Sequence, residues 1–293
     1  MGRLIRCITT DGCVTAMAVD TTDIVNEAAR LHETSAVISA ALGRLLTAAS
    51  MMGSSLKTDV GSITLRLSAD GPAGSVVAVA DSDGNVRGYA ENPVVEIPLN
   101  PKGKLDVGGA VGHNGSLYVL KDLGMKEPYN GVIPLVSGEI AEDITAYFAE
   151  SEQIPTVCAL GVLVNPDLTI KAAGGYLIQL LPTADNEIIT KVEKSIETIQ
   201  PITTLLSNGM SLEDIVKNAL NQFEVEKLDE SVVEYKCNCS RERTEKVLST
   251  IGADDLNKLA EEQEVTSVNC HFCNRVYDFT SEELKTLSKK ILK

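Results

Sequence analysis

The sequence is poor in aromatic residues and in positive charge. Only 4% of the 293 residues are aromatic and none is tryptophan, so a core must be built from valine, isoleucine, leucine and alanine. Lysine and arginine total 26 against 41 aspartates and glutamates, which gives a formal net charge of −15. An acidic surface of this size repels phosphate backbones and anionic lipids. The composition therefore predicts neither nucleic acid nor membrane as a partner.

Export and membrane signals are also missing. The first residues are interrupted by Arg3 and Arg6, and no apolar run with a small-residue cleavage site follows them. The longest mostly apolar stretch, 36–52, contains Arg44 and several hydroxyls, so we do not expect it to span a membrane. Seven cysteines, four of them in metal-ligand spacing, then indicate a reducing cytosol. We expect a cytoplasmic protein.

No catalytic motif is recognisable. The sequence has no GxSxG, HExxH or P-loop pattern, and His32 and His113 have no serine or cysteine partner that the sequence identifies. The glycines at 108, 109 and 112 lack both the P-loop lysine and the dinucleotide spacing. We predict that the chain is not an enzyme, although triads are assembled in space rather than in sequence.

Two cysteine pairs near the end of the chain are its most specific feature. Cys237 and Cys239 form a CxC pair, Cys270 and Cys273 form a CxxC pair, and thirty residues separate them. This spacing is typical of a four-thiolate zinc site. Closing the intervening loop costs on the order of 3 kcal/mol, whereas structural zinc contributes roughly 10–16 kcal/mol. We predict one zinc ion per chain, with His271 outside the ligand set because four sulfurs complete it.

The CxC pair allows two interpretations. A disulfide between such close neighbours would be strained, and strained disulfides are the labile, regulatory ones. The site could therefore be a redox switch, or it could be a zinc staple for a small domain without a core of its own. Spacing alone favours the staple. The remaining cysteines, Cys7, Cys13 and Cys158, lie in apolar runs, and we expect small core residues rather than reactive thiols.

The hydrophobic pattern predicts an α+β fold with an antiparallel sheet in residues 1–182. A turn at Asp11-Gly12 and another at Asn165-Pro166-Asp167 each join two apolar runs, as in β-hairpins. The predicted strands are 4–8, 14–19, 62–67, 76–80, 86–89, 116–121, 131–136, 156–164 and 169–181, and the predicted helices are 22–32, 35–52 and 139–150.

Two further domains are predicted after Pro182. Residues 183–231 read as a helical linker with amphipathic helices at 186–199 and 211–223, whose apolar faces we expect to cover the preceding sheet. Residues 232–293 read as a small C-terminal zinc-binding domain with helices after Ser240 and after the Thr280/Glu283 capping box. The last domain has 10 basic against 11 acidic residues, without the basic face of nucleic-acid-binding zinc ribbons.

The run 237–243 followed by 270–273 resembles the heat shock protein 33 family of redox-regulated bacterial chaperones. Residues 40–48 resemble the family's N-terminal helix. Residues 127–143 and 151–153 resemble its central signature, and 174–182 resemble the end of its core domain. The likeness covers the whole chain and shows no departure at the cysteines.

The resemblance implies an ATP-independent holdase that is inactive while reduced and zinc-bound. Oxidants would convert the thiolates to disulfides and expel zinc, the linker would loosen, and the exposed surface would bind unfolding client proteins. The family's active form is a homodimer, and its disulfides pair Cys237 with Cys239 and Cys270 with Cys273. Adjacent pairing is also expected because neighbouring thiolates released from one ion meet more often than distant ones.

A client surface follows from the same mechanism. Collapse of the zinc domain would remove the support of the linker helices and uncover both their apolar face and the sheet beneath. The residues expected on the helices are Ile188, Val192, Ile196, Leu212, Ile215 and Leu220.

Two functions from other classes stay open. A zinc-stapled module that binds a protein or RNA would give a salt-dependent band shift with RNA, which the acidic composition disfavours. A thiol–disulfide oxidoreductase would reduce insulin, but the surroundings of Cys270 are not the strand-to-helix context of thioredoxin-like motifs.

Overall fold

A computed structural model describes residues 1–58 and 60–291 and contains two compact units, Met1–Lys236 and Cys237–Lys293. The described residues of the larger unit form ten strands: β1 Gly2–Thr9, β2 Val14–Asp20, β3 Ser62–Ala69, β4 Val76–Asp81, β5 Val86–Ala90, β6 Gly115–Asp122, β7 Tyr129–Pro134, β8 Thr156–Val164, β9 Ile170–Leu180 and β10 Val225–Val233. Its helices are α1 Thr22–His32, α2 Ala36–Ser54, α3 Val107–Val111, α4 Ala141–Tyr147, α5 Asn186–Glu197, α6 Ile202–Ser207 and α7 Leu212–Ala219, and α4 continues as a π-helical turn, Phe148–Glu152.

The strands of the larger unit form two five-stranded sheets. The first has the order β10-β1-β2-β9-β8 and the second β5-β4-β3-β6-β7. All neighbouring strands are antiparallel, and the predicted hairpins β1–β2 and β8–β9 are both present. The α+β class with antiparallel sheets is thus confirmed.

Helix α2 lies between the two sheets and forms the centre of the main core. Every residue from Val37 to Ser54 except Arg44 is buried, and the helix packs on β4 and β3 of one sheet and on β8 and β9 of the other. Small residues permit this approach, because a Cβ on Gly43 would lie 2.8 Å from Val162 of β8. The helix is long and apolar enough to cross a membrane, but 89% of its most apolar window is buried within the protein. It is a core helix.

Helices α5, α6 and α7 cover the opposite face of the first sheet. Their apolar side chains share a second core with β1, β2 and β9. Local signals set their starts: Asp185 accepts hydrogen bonds from the amides of Glu187 and Ile188, and Ser211 accepts one from Asp214. The prediction that amphipathic helices form a layer on the preceding sheet is confirmed.

The last part of the predicted helical linker is instead strand β10. Four of its nine residues are charged and most are exposed, so the hydrophobic pattern gives no strand signal there. The strand exists because it pairs with β1 from Gly2↔Val233 to Thr9↔Val225, a contact between the two ends of the unit. The boundary predicted between 231 and 232 falls within this strand, whereas the compact units divide after Lys236. The division into core, linker and zinc domain stays a prediction.

The C-terminal unit contains three helices and one hairpin in its described residues. They are α8 Arg241–Ser249, α9 Ala253–Glu262, β11 Val265–Asn269, β12 Val276–Thr280 and α10 Ser281–Ile291. The predicted caps are present: Ser240 accepts a hydrogen bond from the amide of Arg243, and Thr280 and Glu283 form a reciprocal capping box at α10.

Candidate metal centre

The two cysteine pairs sit on different local structures of the C-terminal unit. Cys237 and Cys239 lie in an extended segment just before α8, where Arg243 donates a hydrogen bond of 2.8 Å to the carbonyl of Asn238. Cys270 and Cys273 lie in the turn between β11 and β12. Each pair is thus held by the element next to it.

The CxxC turn is closed by its own backbone. The amide of Cys270 donates to the carbonyl of Arg275, and the amides of Cys273 and Asn274 donate to the carbonyl of Cys270. Asn274 has φ of 56°, in the left-handed region that asparagine tolerates better than most residues. This geometry places both sulfurs on one side of the turn, where the CxC segment can meet them.

The four sulfurs form one cluster. They all lie within 4.8 Å of one another, with 3.6 Å between Cys237 Sγ and Cys270 Sγ and 3.4 Å between Cys239 Sγ and Cys273 Sγ. A tetrahedral ion with sulfur ligands about 2.3 Å away requires sulfurs roughly 3.8 Å apart. The donor set therefore fits a tetrahedral, thiophilic cation, and the four cysteines could hold a metal ion.

Thiols of the cluster differ in pKa because their surroundings differ. Burial raises the pKa of Cys237. Burial also acts to raise the pKa of Cys239, but hydrogen bonds from Tyr277 and the neighbouring thiols outweigh it and lower this pKa to about 7. The Tyr277 hydroxyl donates to Cys239 Sγ over 3.2 Å. Metal binding requires thiolates, and the lowered pKa of Cys239 makes its thiolate easier to form than that of an ordinary cysteine.

Sequence reasoning missed Tyr277 and Arg243. Tyr277 reaches Cys239 across 38 positions, so this contact forms only on folding, whereas Arg243 contacts Asn238 five positions away. Only the period-two pattern of β12 could have placed Tyr277 on one face of the hairpin. His271 is exposed, and the cluster of donors consists of the four sulfurs alone among the described residues.

The other three cysteines lie in the larger unit and in different settings. Cys7 is 3% exposed in the core, as expected. Burial of the Cys158 thiol on β8 raises its pKa to about 12. Cys13 lies in the turn before β2 rather than in a strand; it is partly exposed, packs against the second core, and has its Sγ 3.6 Å from the carbonyl of Asp11.

The expected client-binding residues all lie in the layer formed by α5, α7 and the residue that follows α7. Val192, Leu212, Ile215 and Leu220 are buried against the first sheet, while Ile188 and Ile196 pack partly buried at the same core. As clients would meet them only after the helices detach, their role stays a prediction.

Comparison with known proteins identifies the family. The family model for Hsp33 protein matches residues 2–280. The 33 kDa chaperonin of Clostridium beijerinckii is 45% identical over 285 residues, 97% of either chain. That of Lachnoclostridium phytofermentans is 47% identical over 284 residues, again 97% of either chain.

A solved structure agrees over the whole length. The crystal structure of the 33 kDa chaperonin, or heat shock protein 33 homologue, of Thermotoga maritima matches with a TM-score of 0.90 and 36% identity. The match covers 99% of this chain and 98% of that one. Fold and thiol cluster thus define a chaperone-type protein with a C-terminal cysteine unit. The chain belongs to the Hsp33 family, and the resemblance seen in the sequence is confirmed.

Proposed function

We propose that the chain is an ATP-independent holdase of the cytoplasm that is switched on by oxidation. In the reduced state the four cysteines hold one zinc ion and the protein is inactive. Oxidation forms disulfides and releases zinc, and the protein then binds unfolding client proteins as a homodimer. The observation that carries the proposal is the clustering of four thiols in a unit with a small core, within a chain of the Hsp33 family.

The chemistry of the switch balances with peroxide alone. Two molecules of hydrogen peroxide take four electrons from four thiolates, which gives two disulfides and four hydroxide ions and leaves no ligand for the metal. Thiolate character and exposure determine which cysteines oxidise. All four cluster cysteines are partly exposed, whereas Cys7 is buried and the pKa of Cys158 is high. We therefore expect Cys7 and Cys158 to stay reduced, and extend this to Cys13 because it lies outside the cluster.

The proposed disulfides are Cys237–Cys239 and Cys270–Cys273. Two short sulfur–sulfur distances in the folded cluster, 3.6 Å and 3.4 Å, join cysteines of different pairs. Adjacent pairing nevertheless prevails if the unit unfolds on metal loss, because loop closure then favours neighbours in the sequence. Peptide mapping after peroxide tests this point, and cross-pairs as the main product would contradict it.

Loss of the metal is proposed to reach the helices of the larger unit. Detachment of α5 and α7 would uncover their own apolar residues together with the sheet residues they cover, including Ala16, Tyr176 and Ile178. The acidic surface would keep this open form in solution. A chaperone acting by such exposure needs no catalytic residues, in agreement with the absence of catalytic motifs from the sequence.

The decisive experiment measures zinc content, aggregation of a denatured client, and hydrogen exchange on the same samples before and after peroxide. We expect one zinc per chain before oxidation, none after it, and suppression of aggregation only afterwards. Amides of residues 186–223 should lose protection together with the zinc. Protection that persists while aggregation is suppressed would place the client surface elsewhere.

A further inference from the structure

Residues 234–236, here called the strap, lie along the outer edge of the second sheet. Strand β5 is the last strand of that sheet, and β4 pairs with its inner edge. The amide of Val86 donates to the carbonyl of Glu234 over 2.9 Å, and the amide of Lys236 donates to the carbonyl of Val86 over 2.8 Å. These two bonds make a parallel β-bridge between Val86 and Tyr235. The strap therefore takes the place of a further strand.

The side chain of Tyr235 continues this pairing along β5. In an antiparallel pair, alternate residues direct their N–H and C=O groups away from the partner, so Gly88 faces outward like Val86. The Tyr235 hydroxyl donates to the Gly88 carbonyl over 2.9 Å and accepts from the Gly88 amide over 3.3 Å. It also lies 3.3 Å from Nε2 of His32 on α1. One side chain thus occupies the donor and the acceptor that a longer strand would use.

The edge of β5 has little protection apart from the strap. The outer edges of sheets invite pairing with other chains, and proteins usually blunt them with charge, proline, short length or a cover. The five residues of β5 include one charge, that of Arg87, and no proline. Removal of the strap would leave the outward main-chain groups of Val86 and Gly88 open to another extended segment.

The strap is anchored differently at its two ends. Val233, which precedes it, is 0% exposed in the main core. Cys237, which follows it, is the first of the four clustered cysteines. A metal ion bound by Cys237 would fix the second end, and its loss would turn that end into the start of an unfolded segment. Chain next to such a segment frays readily. Release of the strap can therefore follow the state of the metal centre while the main core stays folded.

We propose that the β5 edge accepts an extended segment of an unfolded polypeptide, and that the strap blocks this site until the metal centre is lost. The occupant's identity rests on the proposed holdase function, while the site itself rests on the pairing that the strap already makes. Main-chain pairing needs no particular side-chain sequence, so one edge could accept many clients. A second copy of the chain is a poorer occupant, because each copy brings a net charge of −15.

Hydrogen exchange of the full chain, resolved by residue with NMR, tests release of the strap. After peroxide the protection factors of Val86 and Gly88, which face the strap, should fall at least about tenfold. Those of Arg87 and Tyr89, which face β4, should stay high. Addition of reduced and carboxymethylated ribonuclease, an unfolded polypeptide, should restore protection at the first two positions. Unchanged protection of both after zinc release would show that the strap stays in place, and the proposal would be wrong.

A capped, fluorescein-labelled peptide of residues 231–236 tests the acceptor edge by fluorescence anisotropy. It should bind oxidised protein at least about tenfold more tightly than reduced protein. An N-methyl group at the position of Lys236 removes the donor to Val86, and this peptide should bind about tenfold more weakly. An N-methyl group at the position of Tyr235 is the matched control, since that amide takes part in neither bond to Val86. Equal binding of the two methylated peptides would overturn the proposal.

A protein variant tests whether the strap is the block. Tyr235→Phe removes both hydrogen bonds to Gly88 and keeps the ring, so the reduced variant should bind the parent peptide about tenfold more tightly than reduced wild type. Its zinc content should be unchanged. Tyr118→Phe on β6 is the control and should bind like wild type. If the two variants bind alike, the strap does not block the edge. The methylated peptides need no variant and decide the question if Tyr235→Phe fails to fold.

Competition by the carboxymethylated ribonuclease separates this inference from the holdase proposal. If it fails to displace the peptide while oxidised protein still suppresses aggregation, the holdase stands and the proposed site is wrong. If the peptide binds but oxidised protein suppresses no aggregation, the holdase is rejected and the proposed occupant with it. If the peptide splits an oxidised dimer in sedimentation and the ribonuclease does not compete, the edge accepts the strap of a second copy, which also overturns the proposal.

Discussion

The larger unit buries a continuous aliphatic core around α2 and a second core beneath α5–α7. The described residues of the C-terminal unit bury only six hydrophobic side chains: Leu248, Leu256, Ala260, Phe279, Leu284 and Leu287. A segment of this size is marginal on hydrophobic burial alone. The first unit can fold by packing, whereas we expect the second to depend on a metal ion held by the thiol cluster. A stress that attacks thiols should therefore unfold the C-terminal unit first and leave the core around α2 of the larger unit in place.

Removal of the metal should produce the largest difference between the units. Replacement of Cys270 and Cys273 by serine, or chelation of the reduced protein, should unfold the C-terminal unit, because binding of structural zinc contributes roughly 10–16 kcal/mol. Hydrogen exchange should show loss of protection in α8–α10 while α2 stays protected. Cys13→Ser is the control and should retain metal and protection. Retention of the C-terminal fold after complete chelation would show that its small core suffices.

Core truncations should affect each unit separately. Leu45→Ala in α2 should destabilise the larger unit by about 2–5 kcal/mol and leave the metal content unchanged. Phe279→Ala should cost about 3–5 kcal/mol in the C-terminal unit and appear as weaker metal binding. Thermal unfolding and metal titration measure the two effects, with Leu228→Ala on the exposed surface as the control. If Leu45→Ala also lowered metal affinity, the units would be coupled in the reduced state.

The hydrogen bond from Tyr277 to Cys239 should have a smaller effect, confined to the metal centre. Loss of such an outer contact typically lowers metal affinity 10–100-fold, and Tyr277→Phe should fall in this range when zinc is titrated with a competing chelator. Tyr118→Phe on β6 is the control. An unchanged affinity would mean that the four sulfurs alone determine binding.

Tyr277 also shows where sequence reasoning ends. Short-range sequence patterns predict the cysteine pairs, the caps at Ser240 and Thr280, and the amphipathic helices. The structure has these features where they were predicted. The contact of Tyr277 and the strand β10 depend on partners far away in the chain. Cys13 differs from the expectation for a local reason: the turn at Asp11-Gly12 extends to it, so it lies before the strand, although it still packs against the second core. Local signals predict elements, but long-range pairing decides which neighbours they acquire.

The smallest effect is expected when the ion pairs on strand β10 are lost at low pH. This change tests whether the last strand of the larger unit is as stable as the rest of that unit. The strand is held at its surface by Arg3 and Lys227, which both pair with Glu230. The hydrogen bond from Arg3 and then that from Lys227 lower the pKa of Glu230 from 4.5 to about 2. Because the folded pKa lies below the unfolded one, this contribution is fully present above about pH 4.5 and is lost as the pH falls towards 2.

Hydrogen-exchange protection factors of β10 should therefore decrease relative to those of β2 as the pH falls through this window. Glu230→Gln should remove much of the decrease and lower protection slightly at neutral pH, since exposed ion pairs contribute little. Glu226→Gln is the matched control, because it removes a charge from the same strand at a position outside the ion pairs of the described residues. If both variants behave alike, general charge rather than this network holds the strand. If neither variant changes the protection of β10, main-chain hydrogen bonds to β1 are enough to hold the strand. The last strand of the larger unit is then as stable towards acid as β2 at the centre of its sheet.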